Sequence, residues 1–105
     1  MPAVIEVDDH ANGSTVTLAP SQALAIRLPE NPTTGYRWAV ESSPGMRLDV
    51  DTFSPIGPSV GAGGSRRLQW SAEEPGTHRI TLVLRRAWGP SDAEDRHFTL
   101  TVISS

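Results

Sequence analysis

The fold is decided by residues 24–40, which read LAIRLPENPTTGYRWAV. Apolar side chains occupy every second position on both sides of a central turn: Leu24, Ile26 and Leu28 before it, and Tyr36, Trp38 and Val40 after it. Successive side chains of a strand point to opposite faces of a sheet, so a period of two indicates strands with one face toward a core. The segment therefore predicts two β-strands joined by a short connection.

The connection itself is the turn Asn31-Pro32-Thr33-Thr34-Gly35-Tyr36. Pro32 fixes φ near −65°, Asn31 can bond its own backbone, and Gly35 admits a positive φ. The turn carries two hydroxyls and no charge, which suits insertion into the cleft of another protein better than chemistry of its own. From the residues alone, a strand-connecting turn without a function is the favoured interpretation, because turn chemistry of this kind is common.

The same period of two recurs along most of the chain. It is strongest in segments 15–18, 67–70, 80–85 and 98–102, and weaker around 5–7 and 48–51. Turn clusters rich in Gly and Pro separate these segments at intervals of about ten residues, a spacing typical of sandwich folds. The sequence thus predicts an all-β, immunoglobulin-like antiparallel β-sandwich of seven to eight strands, without the Cys pair of antibody domains.

Composition limits the classes of function that remain. The chain of 105 residues has a net charge of −3 and no Cys, so we expect one domain over residues 1–105, no nucleic-acid partner and no disulfide framework. No apolar run is long enough for a membrane span, and we expect no membrane association and a monomer. The N-terminus lacks a signal-peptide pattern, which indicates a cytoplasmic protein, or a periplasmic or secreted one whose signal peptide was removed.

Nothing in the sequence assembles a catalytic or metal centre. The three His residues are scattered, and none stands in an arrangement that indicates a catalytic triad. Asp8-Asp9-His10 is read as a polar turn before Asn12-Gly13 in preference to a metal site. We therefore expect a protein that is not an enzyme and that needs no cofactor or metal.

The longest predicted loop runs from about Phe53 to Ser65 and contains Gly61-Ala62-Gly63-Gly64. Phosphate binding is disfavoured because a strand pattern, and not a helix, follows the glycines. Two interpretations remain. The glycines either form a hairpin connection or offer a backbone that a partner strand can approach closely.

A third motif, Arg86-Ala87-Trp88, follows the strand pattern of residues 80–84 and precedes Gly89-Pro90. Exposed Arg and Trp residues are typical anchors of protein interfaces. A Trp88 side chain folded back over the edge of the sandwich fits the sequence equally well.

Taken together and in this order, the three motifs resemble the three loops of chagasin-type inhibitors of papain-like cysteine peptidases. The resemblance implies that the loops gather at one end of the sandwich and enter the peptidase cleft as a reversible, competitive, tight-binding inhibitor. It implies that the turn 31–36 covers the catalytic Cys and His, that residues 61–64 pair along the non-primed side, and that Arg86 and Trp88 reach the primed side. Ala87 stands where the family usually has Pro, which implies a less constrained third loop.

An alternative is an immunoglobulin-like adhesion or carbohydrate-binding module that uses the same loop edge. Tyr36 and Trp88 would then be stacking platforms for a glycan. Such sites generally need carboxylates or amides near the aromatic rings, and the acidic run that begins at Asp92 would be their source.

Overall fold

The computed structural model describes residues 3–31, 35–55, 63–86 and 96–105. Within these ranges the chain forms eight strands and one turn of 3₁₀ helix: β1 (Val4–Val7), the 3₁₀ helix (Asp9–Ala11), β2 (Thr15–Leu18), β3 (Ala23–Glu30), β4 (Tyr36–Ser42), β5 (Met46–Pro55), β6 (Gly64–Ala72), β7 (Gly76–Arg86) and β8 (Arg96–Ser104). The described ranges contain no helix that has the length and apolar character to cross a membrane.

The strands form two four-stranded sheets. The first sheet has the order β1-β3-β6-β5 and the second has the order β2-β8-β7-β4. The predicted all-β, immunoglobulin-like sandwich is confirmed. Strands β3 to β8 pair with one another in antiparallel fashion, whereas β1 runs parallel to β3 and β2 runs parallel to β8. The parallel pairing of β1 arises because the chain passes through β2 in the second sheet before it returns to the first as β3.

The core lies between the two sheets and is built from the apolar positions of the alternating patterns. Its buried members are Leu18, Leu24, Ile26, Leu28, Met46, Leu68, Trp70, Ile80, Leu82, Phe98, Leu100 and Val102. Trp70 is fully buried, as its phase in the strand predicts, while Trp38 is partly buried and packs against the cluster. Burial of each large apolar side chain contributes about 1.5–3 kcal/mol to folding, so this cluster is the main source of stability.

The predicted limits of the long loop were wrong at both ends. Strand β5 continues through Phe53 to Pro55, and β6 begins at Gly64, with Ser54 opposite Ser65 and Pro55 opposite Gly64. Pro55 is compatible with this pairing because β5 is an edge strand, where a missing N–H costs no ladder hydrogen bond on the open side. The loop between β5 and β6 is therefore shorter than the sequence indicated.

Candidate functional site

Three connections between strands leave the same end of the sandwich, which we call the loop end. In the first sheet, Gly64 at the start of β6 lies between Glu30 at the end of β3 and Pro55 at the end of β5. In the second sheet, Tyr36 at the start of β4 pairs with Arg86 at the end of β7. The three sequence motifs lie in the connections 31–35, 56–63 and 87–95 and in the strand residues that border them, so the bases of all three lie at one end of the molecule.

Six of the predicted site residues lie within the described chain: Asn31, Gly35, Tyr36, Gly63, Gly64 and Arg86. Seven others, which are Pro32, Thr33, Thr34, Gly61, Ala62, Ala87 and Trp88, fall outside the described residues. The structure therefore describes the bases of the three loops.

The first and second motifs meet at Asn31 and Gly63. Gly63 has a φ of 79°, and a Cβ placed on it would lie 3.6 Å from the Cβ of Asn31. Gly35 closes the first loop with a φ of 83°, the positive value that its place in the turn predicts. The backbone at both positions favours glycine, and the two loops start from adjacent points.

Gly64 has a different role from its neighbour Gly63. It is buried, and a Cβ at this position would lie 2.7 Å from the ring of Phe53 and 2.8 Å from the Cα of Pro55. The close approach of β5 to β6 therefore requires a glycine here. Of the four residues of the second motif, this one serves the packing of the protein's own sheet.

The first and third motifs meet at Tyr36 and Arg86. The Nε of Arg86 donates a long hydrogen bond of 3.4 Å to the hydroxyl of Tyr36, and its guanidinium carbon lies 5.8 Å from the centre of the ring. A guanidinium at this distance over an aromatic face gains a cation–π attraction of about 0.5–1 kcal/mol at an exposed site. The contact places the guanidinium of Arg86 over one face of the Tyr36 ring, toward its hydroxyl.

A buried charge network below the loops was not predicted from the sequence. The side chain of Glu30 has no exposed surface and that of Arg66 is 15% exposed. The Nε of Arg66 donates to Glu30 Oε1 at 3.0 Å, its second terminal nitrogen donates to Oε2 at 3.0 Å, and its first donates to Asp51 Oδ1 at 2.6 Å. Hydrogen bonding to Glu30 raises the pKa of Arg66 above its usual value, so the guanidinium stays charged.

The same network joins the two sheets. The backbone N–H of Trp38 in β4 donates to Glu30 Oε1 at 2.6 Å, and the indole Nε1 of Trp38 donates to the carbonyl oxygen of Pro29 at 2.9 Å. Both contacts span the first loop, because Pro29 and Glu30 precede it and Trp38 follows it. The two ends of this loop are thus joined by two hydrogen bonds, one accepted by a buried carboxylate and one donated by an indole.

The sequence did contain a signal for this network. Glu30 continues the inward phase of Leu24, Ile26 and Leu28, and Arg66 continues the inward phase of Leu68 and Trp70. Opposite charges at inward positions near the same end of two strands are expected to pair, since an isolated buried charge is costly.

The segment Asp8-Asp9-His10 forms the polar turn that was predicted. Asp8 caps the 3₁₀ helix, its Oδ1 accepts the backbone N–H of His10 at 3.0 Å, and this bond lowers the pKa of Asp8 below its usual 3.8. The three side chains are exposed, and each places one oxygen or nitrogen atom close to those of the other two. Their contacts with one another account for the turn.

Comparisons with known proteins identify relatives of this chain among peptidase inhibitors. Residues 17–102 match the model of the family described as Chagasin family peptidase inhibitor I42. The chain is 39% identical to Amoebiasin-1 of Entamoeba histolytica over 93% of this chain and 97% of that protein. It is 36% identical to Chagasin of Trypanosoma cruzi over 81% of this chain and 84% of that protein.

A solved structure supports the fold. The crystal structure of the cysteine protease inhibitor EhICP2 from Entamoeba histolytica superposes with a TM-score of 0.85, covering 98% of this chain and 96% of that chain at 24% identity. The family is one of peptidase inhibitors, which confirms the prediction that the protein is not an enzyme. On the match of residues 17–102 and the two relatives above 30% identity, the chain belongs to the chagasin family of peptidase inhibitors.

Proposed function

We propose that this protein is a reversible, competitive, tight-binding inhibitor of papain-like cysteine peptidases, acting as a single monomeric domain over residues 1–105. The observation that carries the proposal is the position of the three motifs. Connections 31–35, 56–63 and 87–95 leave the loop end together, so one face of the molecule can present all three to a single cleft. Family membership supplies the class of partner.

The first loop is proposed to cover the catalytic Cys and His of the peptidase. Thr33 and Thr34 offer hydroxyls that can bond polar groups in the catalytic centre without presenting a scissile carbonyl in substrate-like geometry. The contacts of Glu30 and Trp38 fix the ends of this loop before binding. A segment that is already held in place loses less conformational entropy on association, which favours high affinity for a small interface.

The other two loops are proposed to extend the contact to either side. The second, with Gly61 to Gly63, would pair backbone to backbone along the non-primed side of the cleft. The third would place Arg86 and Trp88 on the primed side, where an indole can stack on an aromatic side chain of the enzyme. Gly64 is assigned to packing inside the inhibitor because it is buried against β5.

The alternative of a carbohydrate-binding module is less favoured at Tyr36. The guanidinium of Arg86 lies 5.8 Å from the centre of the Tyr36 ring, and a sugar that stacked on this face would have to displace that contact. A peptidase cleft places no such demand on Tyr36. A glycan array remains the direct test of the alternative.

The test is a titration of papain and of a cathepsin L-like peptidase, followed with a fluorogenic peptide. The parent protein is compared with Thr33→Ala/Trp88→Ala and with a control, Thr17→Ala/Ile103→Ala, whose residues pair between β2 and β8 at the opposite end. Competitive inhibition that is lost on dilution and weakened only in the first variant is the expected result. Equal inhibition by both variants would reject the loop end as the binding surface, and no inhibition by the parent would reject the function.

A further inference from the structure

Two arginines face each other on the outer surface of the second sheet, next to the loop end. Arg37 in β4 and Arg85 in β7 are direct partners in the antiparallel register, and both are exposed. Arg85 lies out of phase with the buried Leu82, and Arg37 lies out of phase with Trp38, which packs against the core, so both point away from the core. Like charges directly opposite one another in a sheet are destabilising. The fold alone therefore gives no reason for this pair.

The first sheet contains a comparable pair whose charge is compensated. Arg27 in β3 and Arg67 in β6 are also direct partners, and Glu6 in the neighbouring strand β1 forms ion pairs with both. The contact to Arg67 measures 3.7 Å between Nε and Oε2. One carboxylate thus relieves the repulsion between the two guanidinium groups.

No such compensation exists for Arg37 and Arg85 in the part of the chain that the structure describes. Neither forms an ion pair or a hydrogen bond with a described residue there. Strand β4 is at the edge of the sheet, so no further strand on that side can supply a carboxylate. On the other side, β8 places His97 opposite Val83 on this face, and the carboxylate of Glu41 lies 3.8 Å from His97 without forming an ion pair with either arginine.

The pair also lies where the proposed complex would form. Arg37 and Arg85 are adjacent in both strands to the Tyr36–Arg86 pair that joins the first and third motifs. Among the described residues, the two guanidinium groups form a local positive patch on a protein whose net charge is −3. A partner that places carboxylates against this patch would remove the repulsion on binding.

Resting on the proposed function, we propose that Arg37 and Arg85 form a docking surface for carboxylates on the rim of the target peptidase's cleft, beside the site of the third loop. The surface selects peptidases with an acidic rim and speeds their association. Complementary charge acts mainly on the encounter of two proteins, raises the association rate constant by a factor of ten or more, and is screened by salt.

The experiment measures the association rate constant by stopped flow against a cathepsin L-like peptidase that the parent inhibits. The variants are Arg37→Gln, Arg85→Gln and the double Arg37→Gln/Arg85→Gln. The control is Arg79→Gln, which lies on the same strand and face as Arg85, about 20 Å from it at the rise of a strand, and is exposed as well. A second arm uses the peptidase with its rim carboxylates replaced by amides.

The expected result for the double variant is an association rate about tenfold lower at low salt, a flatter salt dependence and a dissociation rate close to that of the parent. The decrease in the association rate constant should disappear when the peptidase carries amides in place of its rim carboxylates. Arg79→Gln should show no such decrease. The melting temperature of the double variant should rise, because a like-charge contact has been removed. If the parent inhibits and the double variant matches Arg79→Gln in rate and salt dependence, the docking surface is wrong and the proposed function stands. If the parent does not inhibit, both fail.

Discussion

The buried carboxylate of Glu30 accepts the backbone N–H of Trp38 at 2.6 Å, and this one bond crosses from the first sheet to the second. It also spans the loop between β3 and β4. The ends of that loop are therefore held by contacts from the core side of the molecule. The arrangement explains how the sandwich can hold the two ends of a short turn in place. It assigns a positioning role to Glu30, a residue outside the three motifs.

The first prediction concerns this carboxylate. Glu30→Ala leaves Arg66 as a largely buried cation that keeps only Asp51 as a partner, and removal of one member of a buried ion pair typically costs about 3–5 kcal/mol. We expect the free energy of unfolding to fall by about 3 kcal/mol in urea denaturation. The control is Glu41→Ala, whose exposed carboxylate faces His97 at 3.8 Å and should matter by less than about 1 kcal/mol. A loss for Glu30→Ala as small as that of the control would contradict the assigned role.

The second prediction separates two kinds of glycine. Gly64→Ala forces a methyl group against Phe53 and Pro55 and should lower the free energy of unfolding by about 2–3 kcal/mol, as overpacking does. Gly13→Ala is the control, because Gly13 has a φ of 81° but no atom within 4 Å of the added Cβ. Its cost should be the backbone strain alone, about 1–2 kcal/mol. Chemical denaturation of both variants decides the matter, and the prediction fails if Gly13→Ala proves the more damaging.

The third prediction concerns acid. Ser71 Oγ donates to Asp49 Oδ2 at 2.7 Å and Arg47 Nε donates to Oδ1 at 2.7 Å. The Ser71 bond is the largest cause that lowers the pKa of Asp49 below its usual 3.8, followed by the bond from Arg47. A carboxyl with a depressed native pKa stabilises the folded state above its unfolded pKa, and this contribution is lost as the pH falls through the native value.

Asp49→Asn should therefore be less stable than the parent near neutral pH, and the difference should shrink as the pH falls below about 4. The measurement is the free energy of unfolding of both proteins across the acidic range. Asp8→Asn is a second comparison, because the pKa of Asp8 is also lowered, chiefly by the backbone N–H of His10. A difference between parent and Asp49→Asn that does not change with pH would show that Asp49 does not act through its charge.

The fourth prediction concerns the third loop. Replacement of Ala87 by Pro restricts the backbone in the unfolded and unbound states and so reduces the conformational entropy lost on ordering. Where the bound conformation accepts proline, this favours the ordered state by about 0.4–1 kcal/mol. We expect the inhibition constant for papain to fall by about two- to fivefold, which is the same free energy expressed as binding. Unchanged or weaker inhibition by Ala87→Pro, with the melting temperature maintained, would show that Ala87 does not limit affinity.

The sequence was sufficient for the strands and the core because both depend on local alternation. Leu24, Ile26 and Leu28 are buried in phase, Trp70 is fully buried, and Gly35 has the positive φ that its turn requires. Each of these follows from side-chain period or from backbone sterics, which act over a few residues. The gathering of the three motifs at one end followed only from the resemblance to a family.

The features that were missed depend on residues distant in the chain. The parallel pairing of β1 with β3 and of β2 with β8 is set by the path of the chain between the two sheets, which no local period encodes. The extension of β5 to Pro55 follows from pairing with β6. The partnership of Glu30 with Arg66 was overlooked because alternation assigns charged residues to the solvent face, whereas these two share the inward face and neutralise each other.

The parallel pairing of β2 with β8 has a consequence for synthesis of the protein. Strand β8 is an interior strand of the second sheet, between β2 and β7, yet it is the last strand in the described chain. A nascent chain that ends before Arg96 has made β2, β4 and β7 but lacks the strand that joins β2 to the other two. The second sheet can therefore be completed only after β8 has been synthesised. Until then, Leu18 and Leu82 of the ribosome-bound chain lack the neighbouring strand β8 and are incompletely buried.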